Sequence, residues 1–226
     1  MRLWREGEET FLEHVRFVRE EIVDKWVTFT KIHRAEDPEM VDAVIRASRG
    51  EYVDLPEVWE PTIGDKPSVI CWSHDRRKAI NWAMGIFRGE CLPPFEVNKY
   101  SREKLQSFVF KVGMPVLCIE NEPKSRRKKE EDRPPRYCNN DWGVIRGFVK
   151  DKKVIVVVEG AEQEFTVAEF HYNFAPGFAL TVHSVHGSTM DWDFCIAEYD
   201  KMDWRLRYTA LSRARRFSQV KKMFEG

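Results

Sequence analysis

Three short, mostly apolar runs constrain what this chain can fold into more than any other feature: SVICW at 68–72, FALTVHS at 178–184 and FCIAEY at 194–199. The first is a compact run of the kind that makes a strand buried on both faces of a parallel sheet. A helical pattern follows it from Arg76 to Phe87, making a β-α unit. The second run leads through a Gly-Ser-Thr turn to the third, and a basic helix is expected from Trp204 to Arg215. A parallel sheet with helices packed on it is the simplest architecture for these pieces.

The stretch between them has a different character. From Val109 to Glu169 short β-like segments follow one another (VFKVGMPVLCIEN, WGVIRGFV, KVIVVVEG and EFTVAEF), each bounded by Gly, Asn, Asp or a run of charges. Several short strands in so little chain predict a small β-barrel inserted into the main domain. The tract KSRRKKEEDRPPR, Lys124 to Arg136, is expected to be a mobile surface loop between two of them. At the start of the chain Phe11, Val15, Val18, Ile22 and Trp26 recur at helical spacing, and Val27 to Ile32 alternates as a strand would. Asp37-Pro38 is a favourable helix start, and Met40, Val41, Val44 and Ile45 form an apolar stripe that stops at Gly50. The expected divisions are 1–106 and 173–226 for the main domain and 107–172 for the insertion.

Lys plus Arg and Asp plus Glu both number 37, so net charge argues neither for nor against a polyanionic partner. Distribution is more telling: from Lys201 to Gly226 there are eight basic residues and two acidic ones, a local basic patch. The five cysteines are widely spaced, with no Cys-x-x-Cys pair to begin a zinc site, and read as reduced thiols of an intracellular compartment. His183-x-x-His186 could be half of a metal site, but no second cluster accompanies it and no metal is expected there.

The stretch Phe178-Ala-Leu-Thr-Val-His-Ser-Val-His-Gly-Ser-Thr and, about twenty residues on, Tyr208-Thr-Ala-Leu-Ser-Arg-Ala-Arg together resemble motifs V and VI of superfamily 1 helicases, particularly the subgroup around RecD and Dda. The resemblance implies the C-terminal RecA-like lobe of such a motor, an α/β parallel sheet with helices on both faces and a small barrel inserted. It also implies an arginine finger, and Arg213 takes that place. A guanidinium keeps its charge and can bridge two phosphate oxygens, which suits charge growing on a γ-phosphate. Phe29-Thr-Lys-Ile-His-Arg-Ala-Glu-Asp-Pro resembles the segment whose arginine also reaches that phosphate, here Arg34. Gly187 and Ser188 would lie at the nucleotide.

For nucleic acid, the resemblance implies contacts from Ser73, His74 and Asn81, which follow the first apolar run. Thr181, His183 and Ser184 would contribute from the motif V stretch, and Lys111 and Asn140 from the inserted barrel. The family usually has Lys where Ser184 stands and Gln where His186 stands. Trp72, inside an apolar strand, is expected in the core rather than as a stacking platform for bases. No G-x-x-x-x-G-K-[ST] loop occurs in the sequence, so ATP and Mg2+ would be held mainly by a first lobe supplied in cis or in trans. The implied function is the motor lobe of an ATP-dependent DNA helicase, with single-stranded DNA as partner, RNA not excluded, and the chain alone inactive. The competing reading is a nucleic-acid-binding module without ATPase activity.

Overall fold

The computed structural model describes residues 34–87, 95–96, 109–122, 135–149, 153–158 and 160–225. The expected helix at 8–26 and strand at 27–32 lie outside the described residues, as does nearly all of the tract 124–136. The first described element, α1 (Pro38–Ser48), begins where Asp37 accepts a hydrogen bond from the backbone N–H of Met40 at 2.6 Å. Proline at the first helical position lacks only an N–H that would have no partner there. Met40, Ala43, Val44 and Ala47 form the buried stripe, and Gly50, at φ 84°, takes the left-handed conformation that ends the helix.

Next come β1 (Glu57–Val58), β2 (Val69–Cys71) and α2 (His74–Phe87). Ser73 caps α2, its hydroxyl accepting from the N–H of Arg76 at 3.2 Å. Two short antiparallel partners follow, β3 (Phe95–Glu96) and β4 (Val109–Phe110). The chain then builds β5 (Pro115–Cys118), β6 (Trp142–Val149), β7 (Lys153–Val158), β8 (Ala161–Thr166), α3 (Val167–Asn173) and β9 (Phe174–Pro176). It ends with β10 (Ala179–Thr181), β11 (Phe194–Ile196), α4 (Trp204–Leu211) and β12 (Val220–Met223).

Five of the strands form a sheet in the order β1-β12-β11-β2-β10 with every pairing parallel. Its three apolar runs, β2, β10 and β11, are buried along their whole length, as strands covered on both faces must be. A second sheet, antiparallel, runs β8-β7-β6-β5-β9. It is built entirely from chain lying between β2 and β10, so it interrupts the parallel sheet in sequence. Its end strands β8 and β9 do not pair with each other among the described residues, and the structure therefore shows an antiparallel sheet rather than a closed barrel. Gly143 is required where β6 meets β7, since a Cβ there would lie 2.6 Å from the carbonyl oxygen of Val157.

One core is continuous between the sheets. Val69, Cys71, Ile80 and Met84 belong to the same buried cluster as Met114, Val116, Phe165, Phe170 and Phe174. Inside the antiparallel part Phe165 meets Phe174 edge to face, with ring centroids 4.8 Å apart, and Phe170 stacks on Phe174 at 5.2 Å.

Three further expectations are corrected. EFTVAEF is not one strand: β8 stops at Thr166, whose hydroxyl accepts from the N–H of Glu169 while the Glu169 carboxylate accepts from the N–H of Thr166. That reciprocal cap starts α3 in mid-segment. Trp72 is not core: it follows the last residue of β2 and is 44% exposed. The basic helix does not reach Arg215, because α4 ends at Leu211. There Ser212 Oγ and Arg213 Nε both donate to the carbonyl of Thr209, and Met190 donates its N–H to the carbonyl of Arg213 at 2.8 Å.

The ends of the connection from β5 to β6 are clasped. Glu122, its side chain fully buried, accepts from Arg136 Nε at 2.6 Å and from the Arg136 N–H at 2.8 Å. Charge-assisted bonds of this kind contribute more than neutral ones. Glu122→Gln keeps the shape and loses the charge, and is expected to lower stability by about 1.5 kcal/mol in a denaturant titration. No change in the midpoint would show that the clasp is not holding the sheet.

Candidate nucleic-acid and nucleotide interface

The motif V segment leaves β10 in a tight series of turns. Thr181, 2% exposed, shares a 2.7 Å hydrogen bond with Ser184 Oγ and accepts from the Ser184 N–H. Gly187 follows at φ 92°, a left-handed conformation that suits glycine. Arg213, only 6% exposed, holds this turn from behind. Its Nη1 donates to the carbonyls of Val185 at 3.2 Å and Ser188 at 2.9 Å, its Nε to Thr209, and its Nη2 to Ser212 Oγ.

Arg34 arrives on the other side of the same turn. Its Nη1 donates to the carbonyl of Ser212 at 2.7 Å, and a longer 3.5 Å bond reaches Gly187. The segment before α1 is fixed there by Glu36, whose N–H donates to the Arg215 carbonyl and whose carboxylate pairs with Arg215 at 3.0 Å, and by Asp37, which accepts from the Phe217 N–H. Burial, and after it the charge of Arg34, pushes the Arg213 guanidinium down to about 10, so it is still a cation at neutral pH. Among the described residues neither arginine has a carboxylate within ion-pair distance. Two cations lined by carbonyls and the Ser212 hydroxyl make a corner that an anion would complete. The sequence thus named residues that meet in space: Arg34, Arg213, Gly187 and Ser188.

The strand-end residues are placed less uniformly. Ser73 donates its hydroxyl and its N–H to the two oxygens of Glu198, both at 2.8 Å. Glu198, in left-handed conformation at φ 60°, donates its own N–H to Glu225, which also pairs with Lys201 at 2.8 Å. Asn81 is 3% exposed, and its amide spans the backbone of Ala179 in β10, donating to the carbonyl at 3.0 Å and accepting from the N–H at 2.8 Å. Both ends of that side chain are thus used inside the protein, which corrects the expectation that Asn81 contacts nucleic acid. His74 and His183 are exposed, Ser184 and Lys111 half-buried, and Asn140 exposed in a turn at φ 73°.

Asn140 and Ser184 share a cleft of about 520 Å³ with Ser188. Its other walls include Arg215, at the end of the motif VI stretch, and three residues to which the sequence motifs assign no role: Lys66, Trp142 and Trp192. The Trp142 and Trp192 rings meet at 61°, with centroids 5.3 Å apart. Trp192 donates its Nε1–H to the Pro67 carbonyl at 2.6 Å, and Lys66 lies 4.8 Å over its ring. No spacing rule links positions 66, 142 and 192 in the sequence.

The fold is α/β, a parallel sheet with helices joined to an antiparallel sheet, with two arginines gathered at a turn after a parallel strand. Solved structures of Pif1 helicases share it. One, from Bacteroides in complex with ADP-AlF3 and single-stranded DNA, has a TM-score of 0.61 and 18% identity, covering 87% of this chain and 51% of that one. Pif1 helicase from Candida albicans has a TM-score of 0.59 and 15% identity, covering 87% and 55%. A third, of two coordinating Pif1 helicases unwinding forked double-stranded DNA, has a TM-score of 0.59 and 19% identity, covering 85% and 48%. At these identities the likeness is one of fold, and the chain spans about half the length of each. No protein-family model matches the chain, and no curated protein matches it.

Proposed function

We propose that this chain is the second motor lobe of an ATP-dependent DNA helicase, with the antiparallel sheet β5–β9 as an insertion in it. The observation that carries the reading is the convergence of Arg34 and Arg213 on the Gly187–Ser188 turn with no carboxylate partner among the described residues. A γ-phosphate brought there by a first lobe would supply the missing negative charge, and its magnesium would be held by that lobe. The Bacteroides Pif1 helicase was solved with both ADP-AlF3 and single-stranded DNA, which supports nucleotide and strand as the partners here.

Single-stranded DNA would pass the exposed residues His74, His183 and Asn140 and the half-buried Ser184 and Lys111. Thr181 and Ser73 act on that surface indirectly, Thr181 by fixing Ser184 and Ser73 by capping α2. With one side of the channel present, the isolated chain is expected to bind a labelled single-stranded oligonucleotide weakly in a fluorescence titration, with affinity falling steeply as salt rises. Tight binding that ignores salt would sink the channel assignment. The second reading, a binding module without ATPase activity, has one observation in its favour: the donors of Arg213 are already engaged by carbonyls. Joining the chain to a lobe that carries a phosphate loop and measuring ATP turnover decides between them.

A further inference from the structure

The cleft between the Asn140–Trp142 turn and the segment that ends at Trp192 has chemistry that a phosphate-tracking groove does not need. Its charged walls balance, with Lys66 and Arg215 against Asp141 and Asp191. Charge alone therefore gives it little preference for a polyanion. What it adds is aromatic surface held in place: the Trp192 ring is pinned through Nε1 to Pro67, covered by Lys66, and set against the edge of Trp142. Fixing these rings beforehand lowers the entropy lost when a flat ligand stacks on them. At about 520 Å³ the cleft is of the size that holds a small organic group rather than a duplex.

We propose that this cleft takes one nucleotide of a single-stranded nucleic acid, its base against Trp192 and Trp142 and its polar edge towards Asn140 and Ser184. The inference rests on the reading of this chain as a single-strand-binding lobe and makes it more specific. A base inside a duplex is covered on both faces by its neighbours, so a corner of tryptophans selects for unpaired strand. Phosphate contacts made elsewhere on the lobe supply attraction, and the cleft supplies preference for a strand that has bases.

The test uses the full chain and two labelled oligonucleotides of equal length, one of thymidines and one abasic throughout, compared by fluorescence anisotropy at several salt concentrations. The thymidine strand is expected to bind about tenfold more tightly than the abasic strand, as stacking of a base on an aromatic side chain gives. Trp192→Leu and, separately, Trp142→Leu are expected to bring thymidine binding down to the abasic value while leaving the salt dependence unchanged. Trp192→Phe should restore part of the preference. Since Trp192 also bonds to Pro67, the Trp142 variant keeps the question open if Trp192→Leu fails to fold. Equal binding of both strands with steep salt dependence would overturn the base cleft and leave the single-strand reading standing. Equal losses for both strands in the tryptophan variants would make these residues structural and overturn the cleft as well. Absence of binding to either strand at low salt would overturn both readings together.

Discussion

In a protein that unites this chain with a first lobe carrying a phosphate loop, Arg34→Ala is expected to slow ATP turnover by about a thousandfold, the lower range for losing an arginine finger. The stability of the lobe should hardly move. Arg34 is half-buried, and its short bond goes to a single carbonyl, that of Ser212. Arg213→Ala is expected to slow turnover comparably and also to destabilise the fold, because the carbonyls of Val185, Ser188 and Thr209 each lose a charged donor. Single-turnover kinetics and a denaturation curve for each variant separate the two effects. Arg215→Ala is the control: it breaks an exposed pair with Glu36 and should leave turnover near the parent value. Should Arg34→Ala turn over ATP at the parent rate while Arg213→Ala merely unfolds, the corner is a brace and the binding-module reading takes its place.

Asn81→Ala is expected to cost about 3 kcal/mol, read as a lowered denaturant midpoint, because it strips both partners from the buried backbone of Ala179. Among the described residues β10 is an edge strand of the parallel sheet, paired with β2 alone. The carboxamide of Asn81 offers one donor and one acceptor to the side of β10 away from β2. Asn81→Asp should be no better, since it can accept from the Ala179 N–H but sets an anion beside the carbonyl. Neither change should alter the salt dependence of DNA binding. A phosphate contact would show itself there, as a slope reduced by about one.

Much of the architecture was legible because it rests on local pattern. The runs around Ile70, Leu180 and Cys195 are too apolar to be anything but covered strands, and Asp37-Pro38 announces α1 through its cap. The misreadings have local causes too. EFTVAEF alternates like a strand, but Thr166 and Glu169 stand three apart and cap each other, which starts a helix inside the alternation. Trp72 has the composition of its strand and none of the cover, for the strand stops one residue earlier.

The site was legible only as a set of positions. Arg34 and Arg213 were named from motif order, but nothing in that order says that Arg213 is spent on carbonyls while Arg34 is half-exposed. Asn81 was named for the wrong partner because an amide that binds backbone and one that binds phosphate read alike in sequence. The cleft was invisible because Lys66, Trp142 and Trp192 come from three separate stretches of chain and are brought together by the meeting of the two sheets.

The Glu122 and Arg136 pair makes the junction between β5 and β6 indifferent to what is threaded through it. Once the two ends are tied, a longer connection adds only loop-closure entropy, about 0.6 kcal/mol for each doubling of length. Evolution or an engineer can therefore exchange that connection for a longer peptide, a fluorophore site or a whole small domain without consulting the rest of the sheet, so long as the carboxylate and the guanidinium at its mouth are kept.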